Sequence, residues 1–420
     1  MKILIIGNGG REHAIARSIY LSSIPNKIYA IPGNPGIMQY AECLNISSDN
    51  HKDICNFSIR NNINLVIIGP EVPICNGLSD ELEKGNIKVF APSKFASQLE
   101  SSKSFTKEIA YKNNIPTAAY KWFNKQDRAL QYLDSLNTPI VIKADGLAAG
   151  KGVFICESKK EASESINEIF SGKFTDNPSL IIEEFLNGEE VSFFALVDGK
   201  DIQPLISAQD HKRLLEGDKG PNTGGMGAYT PTPILTNNII GQVMNKIIEP
   251  TVSAMYKNNT PYKGVLFAGL MITEKGPELI EYNIRFGDPE TQAMLMLLKS
   301  DLLSMMLDTV NGDLKNTKIT WKNETSLTVV LANKGYPLNY KKDSIITGIE
   351  DAEKDPGIKV FHAGTRLENK RLIASGGRVL NVTATGLSIE EARKKAYNAI
   401  EKIKFKTKYY RKDIAWRAMN

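Results

Sequence analysis

The 420-residue sequence predicts a multidomain α/β and α+β fold in three blocks, at 1–101, 102–325 and 326–420. Three observations predict it. Apolar strand-like runs alternate with helical patterns up to about residue 100, the mark of a parallel sheet with crossover helices. From about Leu99 that alternation gives way to hairpin-like pairs and separate helices. After Thr325, strand-like runs precede an amphipathic helix at Ile389 to Ile403.

In the first block, Ile3 to Ile6 is an apolar run ending at Gly7, and Glu12 to Leu21 reads as a helix. Ile28 to Ile31 and Leu65 to Ile68 are further strands, each ending in a Pro/Gly-rich loop. Ligands of open α/β sheets bind beyond the carboxyl ends of the strands. Three loops stand there: Gly7-Asn8-Gly9-Gly10-Arg11, Pro32-Gly33-Asn34 and Gly69-Pro70-Glu71. Arg11 and the glycine N–H groups suit a phosphate, and a plain tight turn is the competing reading. A dinucleotide fingerprint needs glycine at position 12, where Glu12 stands, and Ile28 to Ile31 ends without an acid for a ribose hydroxyl. A dehydrogenase is therefore disfavoured.

In the second block, Ser104 to Lys112 and Glu161 to Phe170 read as helices, and Ile140 to Ile142 and Val153 to Cys156 as strands. The strand Leu180 to Ile182 feeds Glu183-Glu184-Phe185-Leu186, and Val191 to Val197 continues the sheet. Asp210 to Tyr229, polar and glycine-rich, is expected to be a long functional loop. Val265 to Thr273 and Leu279 to Asn283 pair as a hairpin through Glu274-Lys275-Gly276-Pro277. In the third block Leu327 to Leu331 and Arg378 to Thr383 are strands. Lys402, Lys404, Lys406 and Lys408 are expected on a solvated strand face.

Composition narrows the function. Net charge is 52 minus 47, or +5, too small for this length to imply nucleic acid, though an anionic small molecule is compatible. Four cysteines without a C-x-x-C pair argue against zinc and disulfides. No apolar run approaches the roughly 18 residues of a membrane span. A cytoplasmic enzyme without membrane or nucleic-acid partners is expected.

Two clusters carry chemistry. In Ile140 to Phe154 a strand ends in Lys143, and a glycine loop with Lys151 follows, an arrangement suited to phosphate. It is not a P-loop. Three residues separate Gly146 from Gly150, and Gly152 stands where the metal-binding hydroxyl belongs. The second cluster is Glu281 to Glu290. If Glu281 to Arg285 is extended, residues 281, 283 and 285 share a face within about 14 Å, at roughly 3.3 Å per residue. Glu281 and Asn283 suit Mg²⁺, which takes one or two protein oxygens beside phosphates and water. Arg285 suits a carboxylate. An exposed edge strand with a solvent ion pair is the competing reading.

Taken in order, Lys143, the glycine loop, the acidic Glu183 to Leu186 segment and the late Glu281 strand resemble the ATP-grasp superfamily. Over the whole chain the sequence resembles the glycinamide ribonucleotide synthetase family. The matching segments are Gly7 to His13, Leu99 to Lys107, Ile142 to Val153, Glu183 to Glu190, Gln209 to Tyr229, Glu281 to Gln292, Phe361 to Thr365, Gly376 to Val382 and Arg411 to Ala418. The resemblance implies a biotin-carboxylase-like N-terminal domain seating a phosphoribosyl substrate, a two-subdomain ATP-grasp core with a lid at about 118–189, and a small C-terminal domain. It implies that Lys103 and Lys143 hold ATP phosphates beneath a closing loop that includes Ala149, Gly150, Lys151, Gly152 and Val153. Glu183, Glu184, Phe185 and Leu186 would meet adenine, mostly through backbone, and Glu190 the ribose. Glu281 and Asn283 would carry Mg²⁺ or Mn²⁺. Val265 to Ile272 lacks the acid that many ATP-grasp enzymes place on the preceding strand, so Asn283 has to help.

The reaction implied joins glycine to 5-phosphoribosylamine through glycyl phosphate. No side-chain nucleophile is needed, because Lys103, Lys143, Arg285 and the metal align and neutralise charge. Gly9, Gly10, Arg11, Glu12, Pro32, Gly33, Asn34, Gly69, Pro70 and Glu71 would seat the phosphoribosyl substrate. Gly224, Gly225, Met226 and Gly227 would line the acyl-phosphate site with N–H groups, a flexible loop being the alternative. Asp210 or Asp288 is a candidate to accept the amine proton, and solvent can serve instead. His13 and His211 read as structural partners. A monomer is expected, with a dimer as the alternative. The competing functions are another ATP-grasp carboxylate–amine ligase or biotin-type carboxylase, and a non-catalytic nucleotide sensor.

Overall fold

The computed structural model describes residues 1–147, 152–175 and 177–419. Strands Glu42–Cys43, Lys27–Pro32, Lys2–Gly7, Leu65–Ile68 and Lys88–Phe90 lie in that spatial order in one parallel sheet. Ile3 to Ile6 are fully buried, as a sheet covered on both faces requires. The register sets Gly7 opposite Pro32 and Ile6 opposite Ile68, so the three loops predicted at the strand ends emerge side by side.

A second sheet runs Tyr120–Phe123, Leu180–Glu184, Ile140–Ala144, Val153–Cys156, all antiparallel. Helices Gln126–Asp134 and Lys159–Phe170 contribute to a core with Ile140, Ile142 and Ile182. Period-two alternation turns Lys143 and Glu183 to the opposite face. The central antiparallel sheet has the order Ile202–Pro204, Glu189–Asp198, Lys263–Thr273, Gly276–Asn283. Its predicted hairpin is present, with the turn at Glu274 and Lys275 and Pro277 already inside the strand.

Two expectations are corrected. The segment from Asp210 to Tyr229 is not a plain loop. It forms a hairpin, Arg213–Leu215 with Lys219–Asn222, and then the strand Gly227–Thr230. Gln209–Asp210 and Gly227–Thr230 enter the sheet of Thr325–Asn333, Arg378–Gly386 and Ile358–His362, so a piece of the middle block completes the sheet of the third. The four late lysines are not a strand face either. Lys402 ends the helix Ile389–Lys402, and Lys408 donates to the carbonyls of Ile400 (2.9 Å) and Ile403 (2.8 Å). A lysine there answers carbonyls left open at a helix C-terminus.

The first and third blocks are joined by polar contacts. Asn34 donates to the carbonyl of His362 at 2.9 Å, and His13 Nδ1 accepts from the His362 N–H at 2.8 Å. Burial lowers the pKa of both histidines, His362 to about 4, so the joint is built from neutral imidazoles.

Candidate active site

Helix Lys103–Lys112 sets Lys103 and Lys107 one turn apart, hence on one face. Strand Ile140–Ala144 brings Lys143 beside them, and Glu183 stands between two of the three lysines. Its Oε2 is 2.8 Å from Lys143 Nζ and its Oε1 3.2 Å from Lys107 Nζ. Lys107, Lys143 and Glu183 are each no more than 4% exposed. Burial pushes Lys107 down to about 8, against the pull of Glu183, and also lowers Lys103. Asp145 ties the start of the glycine loop to this helix, accepting from the Lys103 N–H (2.7 Å) and the Ser104 hydroxyl (2.5 Å). A carboxylate at that end of a helix also suits the macrodipole. Lys103 Nζ donates to the Gly146 carbonyl at 3.0 Å.

The register of the central hairpin shifts between Gly269 and Leu270, leaving Ile280 without a partner in the ladder. Its carbonyl accepts from Lys143 at 3.2 Å. Glu281 and Asn283 follow, opposite Gly269 and Phe267. Lys212 joins them from the 211–222 hairpin, ion-paired to Glu190 and 4.0 Å from Glu281 Oε1. Burial opposes the Lys212 charge, yet Glu190, Asp210 and Glu281 hold its pKa well above the ordinary lysine value. Burial likewise opposes ionisation of Glu281, and Lys212, Lys143 and Lys103 reverse it, leaving the pKa lowered. Asp210 goes the other way. Burial, with Glu290 and Glu190 nearby, raises it to about 8 despite Lys212.

Arg285 is held by two carboxylates. Nε donates to Glu71 at 2.8 Å and Nη2 to Glu100 at 3.3 Å, while Asn283 Oδ1 (3.4 Å) and the Phe286 carbonyl (3.3 Å) take two more donors. Among the described residues, one of the five guanidinium N–H groups remains without a partner. Burial works against ionised Glu71, but Arg285 and Arg11 hold its pKa down to about 2.

Two predicted roles change on this geometry. Arg11 is 6% exposed, its Nε donating to Glu12 at 2.6 Å and its Nη1 to the Phe286 carbonyl at 3.1 Å. Its side chain is turned into the joint between blocks and not toward a ligand. Glu12 is the core of the loops: its carboxylate takes the Gly9 N–H at 2.6 Å, and a Cβ on Gly69 would stand 2.0 Å from its Oε1. The N–H groups of Gly224, Gly225 and Met226 are also engaged, by the Tyr336 hydroxyl, the Thr223 hydroxyl and the His211 carbonyl. Gly227 is paired within its sheet. That segment lies against the Arg378 side chain, which bonds the Gly224 carbonyl and, at 2.7 Å, the Asp288 carbonyl. Asp288 itself is 3.4 Å from Arg378 Nη2 and accepts from Gln292 at 2.8 Å. Burial disfavours its charge, but Arg378 and Arg11 lower its pKa, which makes it a weak base.

The remaining predicted residues lie as follows. Glu184 accepts from the Ala119 N–H at 2.9 Å. Phe185, 38% exposed, and Leu186 run between strands Leu180–Glu184 and Glu189–Asp198, outside both ladders. Gly152 is buried and Val153 begins its strand; Ala149, Gly150 and Lys151 lie outside the described residues. Pro32, Gly33 and Pro70 border the same mouth, with Asn34 donating to the Asn8 carbonyl at 2.8 Å and Gly10 packed against Asn381 and Gln292. Sequence reasoning missed Lys107, Glu100 and Lys212. Lys107 was open to discovery as the i+4 neighbour of Lys103. Glu100 and Lys212 carry no local signal, because their partners are remote in sequence.

Among the described residues no three His, Cys, Asp or Glu side chains group to hold a metal ion, and no helix is long and apolar enough to cross a membrane. The family models for phosphoribosylglycinamide synthetase match in series: the N domain over 1–100, the ATP-grasp (A) domain over 101–291 and the C domain over 326–417. The phosphoribosylamine–glycine ligase of Rhizobium meliloti is 50% identical over 420 residues, covering 100% of this chain and 99% of the relative. The chloroplastic phosphoribosylamine–glycine ligase of Arabidopsis thaliana is 46% identical over 439 residues, covering 99% of this chain and 82% of the relative. The crystal structure of phosphoribosylamine–glycine ligase from Thermotoga maritima superposes with TM-score 0.87 at 32% identity, covering 99% and 100% of the two chains. A biotin carboxylase domain from Hydrogenobacter thermophilus, at TM-score 0.73 and 16% identity over 97% and 91%, shares the fold.

Proposed function

This chain belongs to the phosphoribosylglycinamide synthetase family, and on that premise we propose how its residues ligate glycine to 5-phosphoribosylamine with conversion of ATP to ADP and phosphate. One observation carries the site assignment: Lys103, Lys143, Glu281, Asn283 and Arg285 gather around one another from three separate stretches of chain. The ATP-grasp core takes ATP as substrate, with its phosphates toward Lys103 and Lys143. The backbone of Phe185 and Leu186, free of either ladder, suits adenine, and Glu190 suits the ribose.

Mg²⁺ or Mn²⁺ fits the donors present. Glu281 is kept ionised by surrounding cations, and among the described residues Asn283 Oδ1 is engaged only by the long contact to Arg285. Two oxygens suffice for an ion that arrives with phosphates and water, and they are too few for a permanent protein-held ion. When bound, the metal would neutralise charge on the transferring phosphoryl group.

In the first step a glycine carboxylate oxygen attacks the γ-phosphorus, the bond to the β-phosphate oxygen breaks, and glycyl phosphate and ADP result. In the second, the phosphoribosylamine nitrogen attacks the carbonyl carbon, phosphate leaves, and the nitrogen loses a proton. Lys103 and Lys143 offset charge on the phosphates, a task suited to fixed, partly desolvated cations. Arg285 is the candidate for the glycine carboxylate, which has to compete there with Glu71 and Glu100. The N–H groups of Gly10 and Arg11 at the start of helix Gly10–Tyr20 are donors suited to the ribose phosphate. Asp210 is the better of the two proposed bases, since its raised pKa lies near neutral pH. A monomer, with a dimer as the alternative, and a cytoplasmic location belong to the same reading.

The test is ADP release with glycine and freshly generated phosphoribosylamine, each omitted in turn. Release is expected only with both present, and loss of it is expected in Glu281→Gln, together with loss of Mn²⁺ binding by electron paramagnetic resonance. Turnover that needs bicarbonate and not glycine would overturn the reading in favour of a carboxylase.

A further inference from the structure

We propose that residues 409–417 form a positioning clamp on the hairpin that carries Lys212, with the fully buried Arg411 at its centre. The hairpin pairs only Arg213–Leu215 with Lys219–Asn222, and a two-stranded ribbon of this size is marginal by itself. Its backbone is fixed from outside. Arg411 Nη1 donates to the Arg213 carbonyl (3.0 Å) and to Asp218 Oδ1 (2.9 Å), while Nε and Nη2 grip the two oxygens of Asp413 at 2.8 and 2.7 Å. Asp413 Oδ2 in turn accepts from the Gly217 N–H at 2.8 Å.

The same stretch reaches the hairpin at four further points. Tyr409 donates its hydroxyl to the Leu214 carbonyl (2.9 Å), and the Lys412 N–H donates to Glu216 (3.2 Å). The Ala415 N–H donates to His211 Nε2 at 2.9 Å, and Arg417 bonds Asp218 Oδ2 at 2.6 Å. From His211 to Asp218, only Lys212 and Leu215 make no hydrogen bond with this stretch. Lys212 instead turns its ammonium to Glu190 and Glu281. A fork of fixed geometry joined to two carboxylates is suited to holding a backbone in one place.

The clamp follows from that arrangement: it fixes the Arg213 main chain on one side of Lys212 and the His211 imidazole on the other, and so sets where the Lys212 charge sits beside Glu190 and Glu281. This inference rests on the reading that the Glu281 region is the reacting end. Arg411 touches no substrate and is a positioning residue. Displacement of a reacting-site group by about 1 Å costs on the order of 100-fold in rate.

The experiment combines amide hydrogen exchange with steady-state kinetics on Arg411→Met, Arg411→Lys and Arg417→Met. In Arg411→Met, exchange is expected to rise over 211–222 while strands Lys263–Thr273 and Gly276–Asn283 stay protected. The kcat is expected to fall by about tenfold or more, with the Kd for ATP within about twofold of wild type. Arg411→Lys should recover part of the rate, and Arg417→Met, which removes one ion pair from a part-exposed side chain, should shift both readouts less in the same direction. If Arg411→Met does not fold, the Arg417→Met pair of readouts decides. Looser exchange in the hairpin with unchanged kcat, or a rate loss matched by an equal loss of ATP affinity, overturns the clamp. A wild-type enzyme that releases no ADP with both substrates overturns the functional reading, whereas unaltered hairpin exchange in the variants overturns the clamp alone.

Discussion

Glu183→Gln separates a charge-compensation role for this residue from a direct role in binding ATP. The glutamate lies 2.8 Å from Lys143 Nζ and 3.2 Å from Lys107 Nζ, with all three side chains buried. At an effective dielectric near 20 those separations correspond to gross attractions of about 6 and about 5 kcal/mol. Desolvation offsets part of that, and breaking a buried pair by removing one partner costs about 3–5 kcal/mol net. For a cooperative unit of roughly 200 residues, 1 kcal/mol is about 2–4 °C, so the ligand-free variant should melt at least about 6 °C lower. ATP brings in the negative charge that the substitution removed. We predict that the variant binds ATP about tenfold more tightly, worth about 1.4 kcal/mol, and that ATP restores part of the lost melting temperature. Differential scanning calorimetry with and without ATP, with isothermal titration for the Kd, makes the measurement. Weaker ATP binding in the variant would refute the reasoning, because it would mean that Glu183 itself holds the nucleotide.

Two other predictions concern pH. Glu71 has a folded pKa near 2 against an unfolded value of about 4.3, so it contributes stability above roughly pH 4.5 that is lost as pH falls through 4 toward 2; Glu71→Gln should flatten that part of an acid melt, and an unchanged acid limb would count against the Arg285 pairing. Asp210 has a folded pKa near 8, so a base at that position predicts ligation rates that climb with pH and level off above about 8; Asp210→Asn should lose that limb, and a profile with the same limb would leave solvent as the acceptor.

The first sheet and the central hairpin were legible because uninterrupted or alternating apolar runs dictate burial directly. The 211–222 hairpin was not, since Arg213–Leu215 and Lys219–Asn222 show no alternation and owe their placement to residues about 200 positions later. In the site, Lys143, Glu281 and Asn283 could be proposed from residue type and parity. Arg11 misled because a guanidinium after a glycine loop suits phosphate equally well until Glu12 is seen to take it. Glu100 and Lys212 act across 185 and 22 positions respectively, and local pattern carries no record of such pairs.

The irregularity at Ile280 works like a reading frame. Leu279 faces Leu270, and Glu281 faces Gly269, so two steps along one strand match a single step along the other. Everything from Glu281 onward is thereby shifted by one in parity. Were Ile280 drawn into a regular ladder, Glu281 and Asn283 would turn to the side where Leu279 now packs and Tyr282 would turn outward; deleting Ile280 instead keeps Glu281 opposite Gly269 and removes the carbonyl that takes the Lys143 ammonium. A one-residue deletion here should therefore leave Glu281 and Asn283 on the site face and loosen Lys143 alone, and an insertion at the exposed Glu274-Lys275 turn likewise leaves the phase of the strand intact.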